Sequence, residues 1–230
     1  MTEIKALFFD AAGTLLHAHP GVGHVYAEVL AQYGAQVDAE RLEEAFRASF
    51  RRRREVPPTN APGPLENEGY DWWKALVFDV LRSEHIAVRA PDAFFHELYW
   101  RFAETDVWRL FPDALPALLD ARGRGLKTAL VSNWDVRLRR LIEGLGIAPF
   151  FDAVVISTEV GFEKPDPRIF RVACERLAVG PDAALHLGDN VREDLEGARA
   201  AGLRAGLVDR NASNQSEQVI HDLRYWHALL

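Results

Sequence analysis

Ile4-Lys5-Ala6-Leu7-Phe8-Phe9-Asp10-Ala11-Ala12-Gly13-Thr14 is the stretch on which the reading of the chain turns. Ile4–Phe9 is a short apolar run that ends at an acid and is bounded by a glycine turn, a pattern that predicts a buried strand. Outward from it, four amphipathic stretches follow with no strand between them. They carry Val22, Val25, Tyr26, Val29 and Tyr33; Leu42, Ala45, Phe46, Ser49 and Phe50; Trp73, Leu76, Val77, Val80 and Leu81; and Phe95, Leu98, Tyr99 and Phe102. Each repeats with helical spacing and predicts one buried helical face. Val56–Gly69, rich in Pro, Asn and Gly, reads as the loop between the second and third helices.

After Pro112 the pattern alternates. Asp113–Arg122 reads as helix and Leu126–Val131 as strand, and Asp135 caps a helix bearing Leu138, Leu141, Ile142 and Leu145. Ala153–Ile156 reads as strand, Pro167 opens a helix, Ala184–Leu187 is a strand, Val191–Ala201 a helix ended by Gly202, and Ala205–Val208 a strand. Alternation of this kind predicts an α/β fold, a doubly wound parallel sheet covered on both faces. Residues 1–16 and 111–230 form that core, and 17–110 are inserted as a helical bundle.

Composition narrows the function classes. At 230 residues the chain corresponds to about 1.5 average domains. Its 48% hydrophobic and 27% charged residues are those of a globular protein. No apolar run reaches the length of a membrane span, and the N-terminal segment lacks the basic region of a signal peptide. One cysteine, Cys174, excludes an internal disulfide or a multi-cysteine zinc site and reads as a buried small hydrophobe. A net charge of -7 argues against nucleic acid as partner, with Arg51–Arg54 the one basic run, read as a solvated helix end. The expected location is the cytoplasm.

In a doubly wound sheet, ligands bind beyond the carboxyl ends of the strands. Asp10, Ser132-Asn133 and Gly188-Asp189-Asn190 all follow predicted strands, and Lys164 lies in the loop Gly-Phe-Glu-Lys-Pro-Asp before a proline-started helix. Two carboxylates, a hydroxyl and a lysine on one rim suit a phosphoryl group and a divalent cation, because Mg²⁺ prefers oxygen ligands and phosphate oxygens take charge-assisted hydrogen bonds.

Asp-Ala-Ala-Gly-Thr, Ser-Asn, Lys-Pro-Asp and Gly-Asp-Asn-x-x-x-Asp, in this order, resemble the four motifs of the haloacid dehalogenase (HAD) superfamily, spanning Asp10 to Asp194. The inserted helices sit where a C1-type cap would lie. The resemblance implies a hydrolase acting on a small phosphorylated molecule. Asp10 would be the nucleophile and form an aspartyl-phosphate. Thr14 would steady the loop or hold substrate, while Ser132 and the Asn133 amide would bind the transferring group. Lys164 would offset negative charge. Mg²⁺ would be held by Asp10, the Ala12 carbonyl and Asp189, with Asp194 a secondary ligand, or orienting Lys164 or a metal-bound water.

One position departs from the pattern. Phosphatases of the superfamily carry a second Asp two residues after the nucleophile, as general acid and base; here that position is Ala12. His17, His19 and His24 lie just downstream and titrate in the right range to substitute. Haloacid dehalogenases place a tyrosine at the Ala12 position, which this chain lacks. Phosphonoacetaldehyde hydrolases have Ala there and use a cap lysine as a Schiff base; Lys74, beside Trp72 and Trp73, is the one cap lysine here. Trp72 and Trp73 read mainly as cap core, and Asp194 could instead support the first turn of its helix. A protein that binds phosphate and metal but turns over poorly is the alternative to an active phosphatase. HAD-like hydrolase-domain proteins similar to this chain also lack the second Asp.

Overall fold

The computed structural model describes residues 2–55, 68–211 and 218–230. It comprises two compact units, Met1–His17 with Leu110–Leu230, and Ala18–Arg109. The chain enters through β1 (Ala6–Phe9) and leaves the first unit along β2 (Leu16–Ala18). Four helices follow, α1 (Val22–Gln32), α2 (Ala39–Glu55), α3 (Glu68–Ser83) and α4 (Pro91–Arg101), before β3 (Trp108–Leu110) leads back. Residues 56–67 of the expected loop Val56–Gly69 lie outside the described residues, and α3 already begins at Glu68.

Helices and strands then alternate. They are α5 (Ala114–Gly123), β4 (Lys127–Ser132), α6 (Arg137–Gly144), β5 (Ala153–Ile156), the single turn α7 (Ser157–Val160) and α8 (Pro167–Leu177). The series closes with β6 (Ala184–Gly188), the short α9 (Gly197–Ala200), β7 (Arg204–Val208) and β8 (Val219–Ile220). The main sheet is ordered β5-β4-β1-β6-β7-β8, and its strands pair in parallel. It is the α/β Rossmann-like fold that the alternation predicts.

β1 is fully buried between β4 and β6, because Ala6, Leu7, Phe8 and Phe9 have no exposed surface and can be apolar on both faces. From β1 the chain fills β4 and β5 on one side, then crosses to β6, β7 and β8 on the other, so β1 lies at the switch in winding direction. Ligand crevices of open α/β sheets form there. Register fixes what stands at the crevice. Phe9 is level with Leu130 and Leu187, so Asp10 follows at the height of Val131 and Gly188, with Ser132 and Asp189 one residue beyond.

α8 closes one face of this sheet. Asp166 accepts the Arg168 N–H at 2.9 Å, and Pro167 occupies the first turn. The helix buries Ile169, Phe170, Ala173, Cys174 and Leu177 against Phe8, Val131 and Val155. Cys174 is a buried hydrophobe, as its sequence context suggests, and burial pushes its thiol up to about 11.

Two helix starts differ from expectation. Asp135 accepts the Arg137 N–H at 3.1 Å, but its carboxylate is also gripped by the Arg137 guanidinium at 2.7 and 2.8 Å, and α6 begins only at Arg137. The segment expected as one helix over Val191–Ala201 instead opens with a π-helical stretch, Val191–Glu196. There the Asn190 carbonyl accepts from both Asp194 (2.9 Å) and Leu195 (3.2 Å), which widens the turn. The wide turn lets the Asp194 side chain fold back onto the Asn190 N–H at 3.0 Å.

The second unit packs its four helices around Val25, Val29, Leu30, Leu42, Leu76, Val80, Phe94, Phe95 and Leu98. Trp72 and Trp73 are only partly buried and join Phe50 in an aromatic cluster with centroid spacings of 5.0–6.2 Å. At the end of α2, Arg51 and Arg52 are exposed, whereas Arg53 pairs with Asp79 at 2.5 Å and Arg54 lies over the Phe50 ring. No helix among the described residues is long and apolar enough to cross a membrane.

Candidate active site

Asp10 sits at the end of the central strand, 7% exposed, with its N–H bonded to Leu187 O at 2.9 Å. Its Oδ1 accepts from Ser132 Oγ at 2.9 Å and from Lys164 Nζ at 2.6 Å. Oδ2 takes no hydrogen bond from any described residue. One carboxylate oxygen is therefore anchored and the other is unengaged.

Lys164 is buried and donates equally to Asp10 Oδ1 and Asp194 Oδ1, both at 2.6 Å. Burial pulls the amine down, but the two carboxylates outweigh it and hold it above the ordinary lysine range. Asp194, 1% exposed, is satisfied on both oxygens: Oδ1 by Lys164 and by His186 Nε2 at 2.9 Å, Oδ2 by the Asn190 N–H. Burial works against its ionisation, yet Lys164 and His186 hold the carboxyl well below the usual range. Asp194 can lie this close to the sheet because residue 188 is glycine.

The loop after Asp10 is shaped by Gly13, whose φ of +84° suits glycine and whose missing Cβ would fall 2.3 Å from Asp189 Oδ2. Thr14 is fully buried and its Oγ1 faces Asp189 Oδ1 at 3.4 Å. Asp189 keeps exposed surface at the rim. Partial withdrawal from water and the charges of Asp10 and Asp194 raise its carboxyl above the ordinary range.

Oxygens of Asp10, Asp189 and Asp194 lie within 4.8 Å of one another and could hold a metal ion. The donor set fits a hard divalent cation: it is all oxygen, and three carboxylates face the single ammonium of Lys164. Since both Asp194 oxygens are already engaged, the Asp10 and Asp189 carboxylates offer the freer ligands.

The remaining residues singled out in the sequence divide between the site and its supports. Asn133 spends its side chain on the Lys164 main chain, accepting from its N–H at 2.7 Å and donating to its carbonyl at 2.8 Å, with a further bond to Glu193 at 3.2 Å. That side-chain amide positions the lysine loop. Ala12 is exposed and supplies no acid. His17 packs on the Phe111 ring at 4.7 Å. His19, His24 and Lys74 belong to the second unit, and Lys74 pairs with Asp92 at 2.8 Å, which raises its amine.

Two residues that the sequence reading passed over stand beside this cluster. His186, the one ionisable side chain inside β6, is wholly buried and is pushed below the ordinary histidine range by that burial, although Asp194 pulls the other way. A histidine within Ala-Leu-His-Leu was the available clue. Arg210, just past β7, donates to the carbonyls of Gly13 (3.3 Å) and Thr14 (2.5 Å) and to Asp113 Oδ2 (2.9 Å), and lies over the Phe111 ring at 3.5 Å. Nothing in the local pattern around Arg210 marks it.

Known proteins are similar to this chain in sequence and fold. A family model described as haloacid dehalogenase-like hydrolase matches residues 4–202. Haloacid dehalogenase-like hydrolase domain-containing protein 3 of Mus musculus is 35% identical over 210 residues, covering 90% of this chain and 82% of that protein. Phosphoserine phosphatase of Thermus thermophilus is 43% identical over 125 residues, 54% of this chain and 50% of that protein. The crystal structure of a HAD phosphatase from Thermococcus onnurineus superposes with a TM-score of 0.67 at 25% identity, over 98% of this chain and 97% of that one. The family match begins just before the strand that delivers Asp10 and runs past the turn that delivers Asp194; the chain belongs to the haloacid dehalogenase-like hydrolase family.

Proposed function

We propose that the protein is a Mg²⁺-dependent phosphatase acting on a small phosphorylated molecule through Asp10. The observation that carries this reading is the division of labour on the Asp10 carboxylate, with Oδ1 tied to Ser132 and Lys164 and Oδ2 unengaged. The phosphoserine phosphatase and HAD phosphatase similarities support the same chemistry.

Oδ2 attacks phosphorus as the bond from phosphorus to the leaving oxygen breaks, giving an aspartyl-phosphate. Water then attacks that phosphorus, releasing inorganic phosphate and restoring Asp10. Ser132 and Lys164 fix the nucleophile, and the Lys164 ammonium offsets the charge that develops on the transferring oxygens. Asp10, Asp189 and the Ala12 carbonyl would hold Mg²⁺, which when bound draws charge from a phosphoryl oxygen. Asp194 acts by holding Lys164.

With Ala12 in place of an acid, the leaving oxygen takes its proton from solvent. General acid–base help contributes about 10²–10⁴-fold, so acyl and aryl phosphates should outrun alkyl ones. The unit Ala18–Arg109 is proposed as a C1-type cap that selects substrate and excludes water. A Schiff-base role for Lys74 is disfavoured, because its ion pair raises the amine where that chemistry needs it lowered.

The test is phosphate release from acyl, aryl and alkyl phosphates, with Mg²⁺ or with EDTA, beside Asp10→Asn. Release that requires both Mg²⁺ and Asp10 is the expected result. Silence across the panel, with Mg²⁺ and phosphate still bound, would favour the binding protein instead.

A further inference from the structure

Four groups form one hydrogen-bonded chain inside the sheet: His186 Nε2 to Asp194 Oδ1 (2.9 Å), Asp194 Oδ1 to Lys164 Nζ (2.6 Å), and Lys164 Nζ to Asp10 Oδ1 (2.6 Å). The far end of this chain needs an explanation. His186 is level with Phe8 on the neighbouring strand and meets the Phe170 ring edge-on at 5.0 Å. Its surroundings are those of an apolar side chain, and its Nδ1 has no hydrogen-bond partner among the described residues. Leaving a buried polar atom unpaired is destabilising, and a leucine would avoid that cost.

What the imidazole gives in return is a single donor aimed at Asp194. A carboxylate can only accept, so the ring carries its proton on Nε2, leaving Nδ1 as the bare nitrogen. Without that donor, Asp194 Oδ1 is held by Lys164 alone, and carboxylate and ammonium can shift together. A lysine or arginine at 186 would also bond Asp194, but its charge would compete with Lys164 for the same oxygen. The imidazole supplies that bond through one ring nitrogen, at 2.9 Å.

We propose that His186 is a positioning residue of the hydrolytic reaction, holding Asp194, and through it the Lys164 ammonium, in place against the nucleophile Asp10. This rests on the reading of Asp10 as the nucleophile of a phosphatase. The chain's far end acts at a distance: His186 itself touches neither substrate nor the reacting atoms.

The test compares His186→Leu, which fills the apolar site without a donor, with His186→Gln, whose Nε2 restores one. Both are assayed with p-nitrophenyl phosphate and acetyl phosphate, and their thermal unfolding is recorded. Residues that orient active groups from behind typically carry about 10–100-fold of activity. The Leu variant should lose that much in kcat with KM within about twofold, remain folded, and recover in the Gln variant. A folded Leu variant with wild-type kcat overturns the proposal, as does a Gln variant as slow as Leu.

A second readout separates this proposal from the phosphatase reading. In ¹⁵N spectra, the wild-type ring should show Nε2 protonated and Nδ1 bare, and the slowly exchanging Lys164 ammonium signal, assigned with Lys164→Met, should vanish in His186→Leu. If the wild type hydrolyses nothing, these spectra still decide whether His186 holds the pair; an unchanged Lys164 signal in the Leu variant would sink it.

Discussion

A methyl group on Gly188 would lie 2.1 Å from Cγ of Asp194, so the absence of a side chain at one residue is what seats the carboxylate of the other. Gly188→Ala must therefore push Asp194 off Lys164 or strain β6. Overpacking of this kind costs about 1–3 kcal/mol, equivalent to a fall in Tm of several degrees for a chain of this size, at about 2–4 °C per kcal/mol. Differential scanning calorimetry should show that fall, accompanied by a loss of phosphate release larger than the stability change explains.

Lys164→Met removes the cation shared by Asp10 and Asp194 and leaves two buried carboxylates facing each other. Breaking a buried pair in this way costs about 3–5 kcal/mol, and turnover should fall below detection. The pH dependence follows from the directions of the shifts. Asp194 is depressed, so its contribution is present above the ordinary carboxylate range and is lost as pH falls towards its lowered folded value. Lys164 is raised, so its contribution is complete below the ordinary lysine range and is lost only as pH climbs through its raised value. The stability gap between wild type and variant, from urea titrations, should narrow in strong acid and in strong base.

Ala12→Asp places a carboxylate at an exposed position two residues after Asp10. Alkyl phosphates should gain about 10²-fold or more, since they depend most on a proton donor. Acyl phosphates should change little. A uniform gain across both classes would mean that the leaving group is not what limits the native enzyme.

Arg210 bonds the carbonyls of Gly13 and Thr14 and the buried Asp113, so Arg210→Met should loosen the loop that follows Asp10. Asp113 would keep only the Leu223 N–H at 2.7 Å on Oδ2, and its Oδ1 already has no partner among the described residues. A loss of about 2–3 kcal/mol in stability is expected. Arg210→Lys should rescue it poorly, because an ammonium on a flexible stem does not reproduce the planar fork that reaches three acceptors. Urea midpoints of the two variants check this.

The positions of Asp10, Ser132, Lys164 and Asp189 were legible because each is announced by a local pattern: an apolar run, a polar residue at its end, a glycine or proline next to it. Register then brings these ends together. His186 was hidden because its sequence neighbours describe a strand, and only the three-dimensional path of Asp194 gives it a partner. Arg210 is 197 residues from Gly13, so no window of sequence contains both ends of that contact. Asn133 was recognised as belonging to the site, but its partner could not be, because hydrogen bonds to the main chain of Lys164 depend on how the lysine loop is folded. The π-helical turn at Val191–Glu196 escaped for a related reason: its widening serves a side chain's return to Asn190 and leaves no trace in periodicity.

Cys174 gives the molecule a clock. It is the chain's one cysteine, lies 4% exposed on the sheet-facing side of α8, and has its thiol pushed up to about 11. In the closed core it is neither reachable nor nucleophilic, since the thiolate is the reactive form. Alkylation can proceed only when α8 lifts from the sheet that carries the site. The rate of labelling therefore counts openings of the catalytic unit, and counts them without an added probe, a second thiol to confuse the signal, or any knowledge of the substrate.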